Sequence, residues 1–164
     1  MDLQDFAPEP LYFDQPSLPE VQALIAQAAQ RYADGGADAL LQRAAALAPE
    51  DLTVLVARYR FYFYQHRHAD ALAVAHRAMA VVAPLIGFPE DWRQIDSNHL
   101  QAGVGRSFTL VRFYLMALKG AALLLLRMGE QPQAVAMLEQ VQALDANDRL
   151  GAAALLQTVA DHSI

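Results

Sequence analysis

Two stretches of this chain line up when the sequence is shifted by 34 residues. Gly36-Ala37-Asp38-Ala39-Leu40-Leu41-Gln42-Arg43-Ala44 matches Asp70-Ala71-Leu72-Ala73-Val74-Ala75-His76-Arg77-Ala78, so Ala37 faces Ala71 and Ala44 faces Ala78. A third copy runs from Arg127 through Gly129 and Ala134 to Leu138, followed by Val141 and Leu144. A unit of this length holds two short helices and a turn, and no such unit buries its apolar stripe alone. Neighbouring units must therefore stack, and the chain is driven toward a helical array. Ala37, Ala71 and Ala134 are small enough to let paired helices approach closely, while Leu41 and Leu138 fill the next turn.

The remaining signals place the helices. Ser17-Leu18-Pro19-Glu20 reads as a helix start, with Ser17 as cap, Glu20 three residues on, and Pro19 where its missing N–H costs little. Val21, Leu24, Ile25, Ala28 and Tyr32 then recur at helical spacing until Gly35-Gly36. Further helices are expected over 37–48, over 52–67 with Asp51 as cap, and over 69–83, closed by Pro84 and Gly87. A long one opens at Ser107 and runs to Met128 before Gly129, and the next spans about 132–144. A last helix, capped by Asn147 or Asp148, carries Leu150, Leu155, Leu156 and Val159. Residues 1–16 contain Pro8, Pro10 and Pro16 and read as an extended arm. Residues 85–106 read as a long loop without helical periodicity, inserted between the second and third units; it would be either functional or disordered.

This pattern resembles the tetratricopeptide repeat family. The resemblance covers about Leu18 to Asp148 and is best over 115–148. It departs from the family where Leu118 and Leu125 replace aromatic residues and where Tyr59 and Ala122 replace a glycine; the terminal proline survives only as Pro49. It implies an all-α superhelix of about three helix pairs, 18–51, 52–84 and 115–148, with a capping helix over about 149–161, all within one domain over 17–164. It also implies a concave groove lined by the first helix of each pair. Placed residue by residue, that groove would hold Gln22, Ala26 and Gln30 from the first unit. Val56, Arg60, Phe63 and Tyr64 would come from the second, and Lys119, Leu123 and Arg127 from the third. The lysines and asparagines of the family's carboxylate clamp are missing, since those positions hold Gln22, Ala26 and Ala57.

Composition narrows the function. Among 164 residues, 55% are hydrophobic and 18% charged, the net charge is −6, and cysteine is absent. The acidity argues against general binding to nucleic acid or to an anionic membrane. Phe108 to Leu126 has the length of a membrane span but carries Arg112 and Lys119, so it reads as a buried helix of a cytoplasmic protein. No disulfide, thiolate metal site or cysteine nucleophile is available. His66 and His68 lack a third ligand, so no metal or other cofactor is expected, and no catalytic constellation stands out.

Arg58-Tyr59-Arg60-Phe61-Tyr62-Phe63-Tyr64-Gln65-His66-Arg67-His68 could stack bases or pave a peptide groove. The acidic remainder of the chain favours the peptide, with one face of this helix in the core and another at least partly exposed. Gly103-Val104-Gly105-Arg106-Ser107 lacks the spacing of a phosphate loop and reads as a hinge with a serine cap. Phe88 and Trp92 mark an insertion that docks on an apolar surface, its own or a partner's. The expectation is a non-enzymatic scaffold, a bacterial adaptor or chaperone-like protein, holding a peptide or partner helix. The alternative is a self-associating structural protein, possible as a homodimer, in which the arm or the insertion fills the groove.

Overall fold

The structure, a computed structural model, describes residues 16–162. The proposed arm therefore lies almost wholly outside the described residues. Those residues form an all-α protein with no strand. Its helices are α1 (Pro19–Gln30), α2 (Ala37–Leu47), α3 (Leu52–Tyr64), α4 (His68–Ile86), α5 (Ser97–Arg106), α6 (Phe108–Arg127), α7 (Gln131–Leu144) and α8 (Ala152–His162). Consecutive helices pair as α1 with α2, α3 with α4, and α6 with α7; α2 packs on α3, α4 on α6, and α7 on α8.

Alanines sit at the seams. Ala37, Ala44, Ala71, Ala75, Ala78 and Ala134 are all fully buried, so the positions that recur in the sequence lie inside the helix packing. From α3 the Tyr59 side chain reaches across to α6. A Cβ on Gly120 would lie 2.6 Å from the Tyr59 hydroxyl, so only a bare backbone fits there.

Several helix ends differ from the sequence reading. Ser17 does not cap α1: Leu18 occupies the cap position, and the Ser17 carbonyl instead accepts from the Gln22 side chain at 2.8 Å. Asp51 caps α3 as expected, accepting from the Thr53 and Val54 amides at 2.8 and 3.2 Å. That helix stops at Tyr64 rather than 67, because His66 takes a left-handed backbone, φ 58°. α4 does not close at Pro84 but continues to Ile86, where Gly87 caps it at φ 73°. The proline is tolerated because Pro84 and Ala80, whose carbonyl loses its partner, both face solvent.

The larger correction concerns 85–106, which is ordered. After Gly87 the chain makes a 3-10 turn at Trp92–Gln94 and then α5. Asp96 caps α5 through the His99 amide at 2.9 Å, and the His99 ring answers by accepting from the Asp96 amide at 3.2 Å. Histidine in the place of the usual glutamate is why this capping box was not visible in the sequence. Phe88 meets Tyr114 edge-on at 5.0 Å, and burial pushes the Tyr114 phenol far above its ordinary pKa, the Asp91 charge adding to the effect. The Gln140 amide nitrogen donates to the Trp92 and Ile95 carbonyls at 2.9 and 2.7 Å, fastening the segment to α7. Ser107 then caps α6 through the Leu110 amide at 3.1 Å.

Both α4 and α6 are long and apolar enough to cross a membrane by length and composition. In α6, 72% of the most apolar window is buried inside the protein, so this helix spends its apolar surface as core.

The two glycines of α5 should respond oppositely to alanine. A Cβ on Gly103 would sit 2.8 Å from the Phe88 ring and 3.2 Å from the Ile86 carbonyl, whereas Gly105 has nothing within 4 Å. Gly103→Ala is expected to destabilise by about 1–3 kcal/mol. Gly105→Ala is expected to be neutral or to stabilise by up to about 1 kcal/mol. Denaturant melts of the two variants check both signs.

Candidate binding cleft between α1 and α3

A cleft of about 410 Å³ runs along α3 from Thr53 to Tyr64. Ile25 and Ala29 of α1, with Tyr32 in the turn that follows it, form one wall, Ala57, Arg60 and Tyr64 of α3 the other, and Leu41 of α2 the floor. Its length is about 16 Å at helical rise, enough for four or five residues of an extended peptide. Among the described residues, no carboxylate lines it.

Aromatic packing fixes the walls. Tyr32 stacks on Phe61 at 5.5 Å, and Phe63, itself buried, meets Tyr64 edge-on at 5.9 Å. Tyr64 remains 66% exposed, a large ring held by its neighbour but open to solvent. Burial raises the Tyr32 pKa, the Arg60 charge lowers it, and the Tyr64 phenol raises it again. The Tyr32 phenol therefore stays neutral at pH 7, and Arg60 supplies the charge of the cleft. Beyond Tyr64, the Arg127 guanidinium lies over the Phe63 ring at 4.8 Å, extending the cationic, aromatic surface toward α6.

The residues expected to line a groove are only partly brought together. Arg60 and Tyr64 line the cleft, whereas exposed Arg127 lies outside its lining, over the Phe63 ring. Val56 and Lys119 were expected on the groove surface and are instead in the core. Val56 is fully buried between helices, and Lys119 is buried with its ammonium donating to the Leu150 carbonyl. Phe63 supports the surface from beneath, and Leu123 is half-buried against the core. Gln22, Ala26 and Gln30 are exposed on α1 but line neither this cleft nor the larger one described below. From α1 the cleft takes Ile25 and Ala29, one helical position away, and Tyr32 follows from the next turn. The first unit matches the repeat pattern poorly, so nothing fixed its rotation, although the spacing of Ile25 and Tyr32 was visible. Phe88 and Trp92 are both buried within this chain's own core.

The four aromatics Tyr59, Phe61, Tyr62 and Phe63 are all buried, a wider core face than the sequence implied. Tyr62 is covered by the Arg67 guanidinium at 4.5 Å, and Arg67 also bonds Asp38 and Asp70 at 2.8 Å each, tying α2 to α4. His66 and His68 approach edge to face, with ring centroids 6.1 Å apart. No group of three or more potential metal ligands occurs among the described residues.

Comparison with known proteins gives one informative match. The chain is 51% identical over 163 residues to an uncharacterized 19.8 kDa protein in the nifW 5′ region of Azotobacter chroococcum mcd 1. The match covers 99% of this chain and 91% of that protein. The chain belongs to that protein's family. No family model matches it, and no solved structure does.

Lys119 should matter to the C-terminal helix rather than to any ligand. Lys119→Ala leaves the buried Leu150 carbonyl without its charged donor and is expected to cost about 2–3 kcal/mol. Amide exchange across α8 should accelerate with it; unchanged protection there would refute the assignment.

Proposed function

We propose that this chain is a non-catalytic binding scaffold that receives a segment of another protein in the α1–α3 cleft. The observation that carries the reading is an aromatic, apolar trough with Arg60 in its wall and no carboxylate among its described lining residues, on a chain that is acidic as a whole. Such a surface selects an acidic segment with aromatic or aliphatic side chains. Exposed tyrosine and arginine are the residue types that contribute most when a partner excludes water around them. The cation adds orientation and rate more than affinity.

The burial of the repeated alanines and the pairing of helices across short turns support a place for this chain among tetratricopeptide-like arrays, with α1, α3 and α6 as first helices. In that reading α8 solvates the last pair, and the protein works in the cytoplasm as an adaptor. The relative's nifW 5′ location makes the nifW product one partner to assay first.

Copurification from the native cell, followed by mass spectrometry, tests the cleft. Wild-type protein is expected to retain a partner that a correctly folded Arg60→Glu, Tyr64→Ala double variant loses by tenfold or more. Equal recovery by both proteins would remove the cleft from the proposal.

A further inference from the structure

A second, larger cleft of about 830 Å³ meets the first at Thr53 and opens toward α4. One wall is a stripe of α4, Arg77, Val81 and Leu85, about 12 Å long at helical rise. The α2–α3 turn and Leu52 stand opposite, and Arg106 with Leu110 closes the end where α5 meets α6. Leu85 is 55% exposed here, an apolar side chain with no covering element among the described residues. Pro16 and Leu18 form part of the rim, so the chain enters α1 directly from this cleft.

We propose that this cleft is the seat of the chain's own segment 1–15, docked within the same molecule. Three features select that occupant. First, reach: Leu11, Tyr12 and Phe13 precede Pro16 by three to five residues, about 10–18 Å of extended chain, which matches the length of the α4 stripe. Second, composition: prolines such as Pro8 and Pro10 restrict the free chain and so lower the entropy a segment loses on docking, and the apolar Leu11, Tyr12 and Phe13 suit a trough between Val81, Leu85 and Leu110. Third, charge: residues 1–15 carry Asp2, Asp5, Glu9 and Asp14 and no lysine or arginine.

The charges facing that segment are mixed but favour it. Asp51 is engaged with the first amides of α3, and Glu50 pairs with Arg77 at 3.4 Å. Arg106, folded back over Gly87 at the end of the cleft, is the remaining cation of the wall. Tethering makes even weak complementarity sufficient. A short linker gives an effective concentration of about 1 mM, so a contact worth only about 50 µM between separate molecules would keep the segment seated roughly nineteen times in twenty. This inference does not depend on the α1–α3 cleft, whose occupant is a different molecule.

The absence of cysteine makes the test direct in the full chain. In a Pro10→Cys, Glu50→Cys variant, mild oxidation should form a disulfide within one chain. The rate should be at least tenfold above that of a Pro10→Cys, Ala29→Cys variant, whose second thiol stands in the α1–α3 cleft. Adding Leu85→Asp, at an exposed position that leaves the core intact, should slow the first reaction about tenfold. The same change should speed chymotrypsin cleavage after Tyr12 or Phe13 in the otherwise unaltered chain. Faster closure onto Ala29→Cys would put the segment in the other cleft, and a disulfide between chains would give it to a second copy. Equal rates, or indifference to Leu85→Asp, would mean that the segment is not seated at all; each of these results overturns the proposal.

Discussion

The burial of small residues between packed helices is the constraint on which the structure rests. Ala37, Ala71 and Ala134 are fully buried, one in each of three hairpins, and a Cβ on Gly120 would meet the Tyr59 hydroxyl that reaches it from α3. Larger buried residues, Leu41, Leu138 and Met137 among them, fill the space beside such positions. α3 is buried on most of its circumference, since α2 and α4 pack on it and its Tyr59 reaches α6. Only a narrow edge, from Thr53 through Ala57 and Arg60 to Tyr64, is left outside, and that edge is the wall of the α1–α3 cleft.

The all-α class and the order of the paired helices were legible because they depend on apolar spacing and residue size. Asp51 and Ser107 were legible as caps because both have the short acceptor side chain that the position needs. Two things were hidden, each for a physical reason. Pro84 looks like a terminator, but its lost hydrogen bond falls on the wet side of α4, where water replaces it. α5 has a capping box built with His99, and its two glycines weaken the helical signal; its place depends on Phe88 and Val111 packing against Gly103, a contact between distant positions.

The binding surface was less legible than the fold. A lysine on a predicted first helix looks like a surface cation. Lys119 is nevertheless drawn inward by the Leu150 carbonyl, whose position depends on how the chain turns between α7 and α8. The rotation of α1 could not be read because that helix is amphipathic over a broad arc, so Gln22 and Ala26 were as plausible on the inner face as Ile25 and Ala29. Arg60 and Tyr64 were found because an arginine and a tyrosine four residues apart share a helix face wherever that face is directed.

The strap between α4 and α6 bears on how the protein could be shortened. A segment added to an array is ordinarily removable, leaving the parent hairpins intact. Here excision of 88–106 would strip Phe88, Trp92 and Ile95 from the interior, bare the ring of Tyr114, and leave the Gln140 amide with neither of its acceptors. What began as an interruption of the repeat has become a keystone, and a minimal version of this protein would have to keep it.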